Sequence, residues 1–191
     1  DDFNSIISSQ TNAKKYFFNE LKPSFKLETT AKLEKSLLSF NPFIFEDFDD
    51  KRKSGENESY ITKLIREDLV EDFIQYCNKN VISLSSIIKP SIFETNRFLI
   101  NKSPSLIEYA AFFGSLQIFQ YIKMNDIQLD PNLWMYAIHG NNPQIIHMIE
   151  ENKIEPYDQK YNQLLKEAIK CHHNDVANYI QINYIDVMKK E

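Results

Sequence analysis

The pattern Asn-x-Ile closes four stretches of this chain, at Asn80/Ile82, Asn125/Ile127, Asn152/Ile154 and Asn183/Ile185. Ahead of each lies the same apolar set: Phe73, Ile74, Tyr76, Cys77; Ile118, Phe119, Tyr121, Ile122; Ile145, Ile146, Met148, Ile149; and Val176, Ala177, Tyr179, Ile180. Residues at i, i+1, i+3 and i+4 make the stripe of a helix buried on one side. Further upstream, Ala110 recurs 27 residues on as Ala137 and 31 residues later as Ala168, while Ser103-Pro104 recurs as Asp130-Pro131. Units of this size cannot bury their apolar faces alone and must stack on their neighbours. The spacing predicts four helical hairpins, at about 60–85, 103–129, 130–155 and 158–185.

Each unit carries its own punctuation. Ser103 and Asp130 are expected to cap a first helix, with Pro104 and Pro131 preset for the first helical position. A turn follows at Phe113-Gly114, Gly140-Asn141 and His172-His173. Ser115, Asn142 and His173 then cap the second helix, with Pro143 in its first turn, and the closing Asn takes the left-handed conformation at its end.

Here the residues carry a resemblance. The string Ile107-Glu-Tyr-Ala-Ala-Phe-Phe-Gly114-Ser-Leu-Gln-Ile118 resembles the core of an ankyrin repeat, and Asn125-Asp-Ile-Gln-Leu129 resembles the apolar element of the following finger. Together with 91–96, 134–146 and 168–175, the stretch 55–185 is similar to a divergent ankyrin family, a domain of unknown function multiplied in single-celled parasitic eukaryotes. The chain departs from the usual pattern: Thr-Pro-Leu-His is absent, no Gly-Ala-Asp finger occurs, and spacings of 27 and 31 fall short of the usual 33. Short loops are therefore expected in place of β-hairpin fingers. The resemblance implies a concave groove lined by the residues after the small pair, namely Phe112-Phe113, His139-Gly140 and Lys170-Cys171.

Outside the repeats the signals are weaker. Residues 1–50 suggest helices ending near Lys22-Pro23 and before Asn41-Pro42, a helical N-terminal cap for the array. Phe40 to Asp50 mixes aromatics with acids. It reads as an extended segment that tucks its rings onto the repeats, in preference to a docking peptide for a basic partner. Residues 51–59 read as a linker. The long connection 86–102 has two readings, a functional loop or an apolar cover between the first two repeats.

Composition narrows function by exclusion. A hydrophobic content of 42% with three glycines suits a folded, mostly helical chain, and a net charge of −5 opposes a general phosphate-binding role. No apolar run approaches the length of a membrane span. Cys77 and Cys171 fall inside helices and read as reduced thiols of a cytoplasmic protein. Cys171-His172-His173 sits where the preceding copy turns, so it reads as a turn and cap in preference to a metal site, and no orienting carboxylate or second ligand pair stands at recognisable spacing. The expectation is a non-enzymatic, all-α, ankyrin-like solenoid with no cofactor or metal, binding another protein but neither nucleic acid nor membrane. Its contact residues are expected to be Phe112, Phe113, His139 and Lys170 with the loop residues Gln128, Asp130, Glu155 and Asp158. The alternative is a permanent structural subunit of a larger assembly. Oligomeric state stays open.

Overall fold

The computed structural model describes residues 13–40, 42–157 and 160–188; the side chains of Phe40 and Met188 lie outside that description. The chain is all-α. Among the described residues no strand forms, and one isolated antiparallel bridge joins Ile87 to Ser105. Two compact units are present. One combines residues 1–58 with 90–102, and the other combines 59–89 with 103–191.

The first unit holds α1 (Phe18–Leu21), a 3-10 turn (Lys22–Ser24), α2 (Leu27–Phe40) and α3 (Phe48–Ser54). Its core is Phe18, Leu37, Ile44, Phe48 and Phe93, with Leu33 and Ile92 packed against it. Phe93 has no exposed surface and meets Phe48 edge to face at 5.1 Å. The connection thus divides. Residues 90–102 complete this core, which is neither of the roles expected for 86–102. Residues 86–88 pair with 104–106 through Ile88 N to Pro104 O (2.7 Å) and Leu106 N to Ser86 O (3.2 Å).

The acidic–aromatic segment likewise turns inward within its own unit: Ile44 and Phe48 are buried, whereas Phe43 and Phe45 remain exposed. The expected linker is helical through Ser54, because Gly55 supplies the left-handed C-cap (φ 66°). Thr95 then donates through both N and Oγ1 to Gly55 O, at 2.9 and 2.8 Å. Arg52 on α3 pairs with Glu20 on α1. Phe3, Ile6 and Ile7 lie outside the described residues.

The second unit contains four helix pairs: α4 (Tyr60–Arg66) with α5 (Val70–Asn80), α6 (Leu106–Phe113) with α7 (Leu116–Met124), α8 (Leu133–Gly140) with α9 (Pro143–Glu151), and α10 (Tyr161–Lys170) with α11 (Asn174–Ile180). A π-helical turn, Gln181–Ile185, and α12 (Asp186–Met188) follow. First helices touch first helices in the order α4, α6, α8, α10, and α7 touches both α5 and α9. Ala110, Ala137 and Ala168 are all buried at these contacts. A close approach occurs at Gly140, where a Cβ would stand 1.9 Å from Ala111 O.

The closing Asn works differently from expectation. Asn125 and Asn152 keep negative φ, and the following residue is left-handed: Val81 (53°), Asp126 (55°) and Lys153 (54°). Each Asn instead bonds the carbonyl four residues back through Nδ2: Asn80 to Tyr76, Asn125 to Tyr121, Asn152 to Met148 and Asn183 to Tyr179. The Ile amide then closes the end, as in Ile82 N to Cys77 O and Ile154 N to Ile149 O. In the first three copies Asn-x-Ile marks a helix end at which the Asn side chain adds a hydrogen bond to the carbonyl four residues back, whereas Asn183 makes the same bond inside the π-helical turn.

The hairpin turn has the same economy, with Asp68, Gly114, Asn141 and His172 as its left-handed residues. Two first-helix caps lie two residues beyond their expected places. Ser105, not Ser103, caps α6 and forms a capping box with Glu108. Asn132 precedes α8, and Asp130 holds it by accepting from Asn132 N at 2.8 Å. Ser115, Asn142 and His173 hold the expected N-cap positions of the second helices, but only Asn142 caps with its side chain, and all three reach across. Ser115 donates to Ile65 O, Asn142 to Gly114 O and His173 Nδ1 to Ile138 O, each a carbonyl of the preceding pair. Three residue types make one recurring tie.

Candidate functional site

Stacking first helix on first helix brings equivalent positions of successive pairs side by side. At their C-terminal ends this builds a row that runs from Phe113 and Phe112 on α6, through His139 on α8, to Glu167, Lys170 and Cys171 at the end of α10. Phe112 stacks on the His139 ring with centroids 5.0 Å apart and planes at 27°, and Phe113 packs against Phe112 and Tyr109. Phe112 is only 7% exposed. It is therefore a wall of the row, held by His139 of the next pair, and not a displayed contact residue. Adjacent helical residues point about 100° apart, so burying Phe112 leaves Phe113 half-buried at the margin.

His139 sits between two further groups. Its Nε2 donates to Glu167 Oε1 at 3.2 Å, and its Nδ1 lies 3.4 Å from Cys171 Sγ. With Nε2 carrying the proton, Nδ1 accepts from the thiol and the chain of bonds is consistent. Lys170 Nζ donates to Glu167 Oε2 at 2.9 Å and is itself exposed.

Burial raises the Glu167 carboxyl, but the Lys170 hydrogen bond and charge, with His139 adding to them, outweigh it and leave the group below its ordinary range. Burial pushes the Cys171 thiol up, and Glu167 adds to that against Lys170. Glu167 is the orienting carboxylate that a search along the sequence does not find. It stands 28 residues after His139 and four before Cys171, so only the packing of α10 on α8 brings the three together.

The loop residues form a second group. Gln128, Asp130 and Glu155 are exposed, and Asp158 lies outside the described residues. Asp130 accepts from Tyr157 OH at 3.2 Å through both carboxylate oxygens, which joins the loop before α8 to the loop before α10. That bond and the Asp130 charge, with some burial, raise the Tyr157 hydroxyl above its usual range.

Behind the row, Glu150 on α9 accepts from Tyr179 OH at 2.9 Å and from Tyr184 OH, and Tyr184 stacks on Tyr161 at 4.3 Å. Burial, then the Glu150 hydrogen bond and charge, push Tyr179 up to about 12 and raise Tyr184 further. His172 takes the left-handed turn position and His173 the cap, and neither joins the His139 cluster.

No protein-family model matches this sequence, and neither a curated protein nor a solved structure matches it.

Proposed function

We propose that the chain is a protein–protein interaction module of the ankyrin type, a short solenoid of four helical hairpins that presents loop tips and first-helix ends to a partner protein. The observation that carries this reading is the recurrence of one joint at three successive contacts, where the cap of a second helix donates to a carbonyl of the preceding pair. Ties of this kind hold Gln128, Asp130, Glu155, His139 and Lys170 in fixed register before a partner arrives, so association orders few groups. In this reading the chain acts in the cytoplasm without catalysis.

The test is affinity capture with the full chain as bait, followed by cross-linking mass spectrometry. Cross-links concentrated on Lys170 and on the loops before α8 and α10 support the reading, and cross-links confined to α5, α7 and α9 refute it. A second reading, a permanent subunit of a larger assembly, draws on exposed apolar residues of the last hairpin and its extension, Ile169 at 55% and Ile182 at 63%. A dilute monomer in analytical ultracentrifugation supports the transient module, and a persistent assembly supports the subunit.

A further inference from the structure

We infer that His139, Glu167 and Cys171 form a binding site for one divalent transition-metal ion of the zinc class, bridging the third and fourth hairpins. One donor atom from each residue lies within 4.8 Å of the other two. Glu167 and Cys171 are four residues apart at the end of α10, which sets their side chains on one helix face. His139 enters from α8, and Phe112 stacked on its ring limits how that ring turns. The Sγ to Nδ1 distance of 3.4 Å is close to the edge of about 3.5 Å that a tetrahedral zinc with Zn–S near 2.3 Å and Zn–N near 2.0 Å requires.

The donor set combines imidazole nitrogen, carboxylate oxygen and thiolate sulfur, three types that zinc accepts together, and three protein ligands leave a fourth position open. Glu167 now meets Nε2. Ligation beside Nδ1 asks its carboxylate to swing away from that nitrogen and from the exposed Lys170, which has no role as a ligand.

The same three groups in a row resemble a thiol nucleophile with its base and orienting acid. The backbone argues against that use. The amides of Cys171, His172 and His173 are all spent on carbonyls of α10 (Glu167, Ile169 and Ala168), so none of these three is free to hold an oxyanion.

Cobalt(II) titration of the reduced full chain tests the site. One equivalent is expected to bind with a thiolate-to-cobalt charge-transfer band, and zinc is expected to displace it. Cys171→Ser should abolish the band and Cys77→Ser should keep it. His139→Gln and Glu167→Gln should each weaken binding by at least about tenfold, the lower end of what even outer-shell changes cost. Lys170→Ala should leave binding intact or tighten it. Absence of the band, its survival in Cys171→Ser, or His139→Gln binding as tightly as the parent would overturn the assignment. Should a ligand variant lose its helical circular dichroism, X-ray absorption of the parent cobalt complex decides: one sulfur among nitrogen and oxygen neighbours supports the site, and an all-oxygen shell refutes it.

Discussion

The two units bury their apolar residues by opposite strategies. In the repeat unit the helical core positions recur from copy to copy, as Ala110, Ala137 and Ala168 do, and contacts join neighbouring pairs: Ser115 to Ile65, Asn142 to Gly114, Phe112 to His139. In the N-terminal unit, Phe18, Leu37, Ile44, Phe48 and Phe93 come from segments with no common pattern, and the last of them arrives only after a whole hairpin has intervened. A repeat lets one short signal be tested four times over. A core with one copy of everything gives no such check, and a single distant residue can complete it.

The largest effect that would sharpen this contrast is expected from Phe93→Ala. Deleting a ring with no exposed surface should cost about 3–5 kcal/mol. Hydrogen exchange should show the loss of protection spreading over α1 to α3; unchanged protection there would mean residues 90–102 do not complete that core.

Gly140→Ala tests the repeat unit at the close approach of α6 and α8. The new methyl group cannot coexist with Ala111 O, and overpacking of this kind costs about 1–3 kcal/mol or more. A variant as stable as the parent would show that α6 and α8 do not approach as described. Phe112→Ala should cost about 3 kcal/mol because the ring is buried, whereas a freely displayed ring would leave Tm unchanged.

Smaller changes probe the joints themselves. Asn142→Ala removes the cap bonds to Gln144 N and Ile145 N together with the tie to Gly114, and should cost about 1–2 kcal/mol. Tyr179→Phe acts through pH. The Tyr179 hydroxyl ionises higher in the folded chain, so its stabilising share is complete below the ordinary value of 10.0 and fades as pH rises towards about 12. Tm of the parent should therefore fall over that window, and Tyr179→Phe should flatten the fall. An unaltered alkaline slope would show that the Tyr179 hydroxyl is not raised in the folded chain.

How much was legible follows from range. The ends of α2, α7 and α9, the turns at Gly114 and Asn141, and the caps Asn142 and Pro143 depend on residues within one turn of each other, and the sequence displays them openly. The cap of α6 was displaced because Ser103 and Ser105 are both plausible, and only Ser105 has Glu108 three residues on to complete the box. Asp68, which accepts from the amides of Gln117 and Ile118 and so serves as a cap for α7, belongs to another hairpin and carries no local mark. The same holds for Glu167. The copy spacing of 31 carries His139 to Lys170, next to Cys171 and three residues past Glu167, so register between copies points to the end of this helix, while which of its side chains meet the imidazole depends on their direction in the fold.

The claim on which the functional reading depends is that the loop tips and first-helix ends grip a partner. The most direct measurement is parallel affinity capture with the parent chain and with a Gln128→Lys, Glu155→Lys, Lys170→Ala variant, all three positions being exposed. The account expects the variant to keep the parent's Tm and lose the proteins the parent retains. Equal retention by a variant of equal Tm would contradict it.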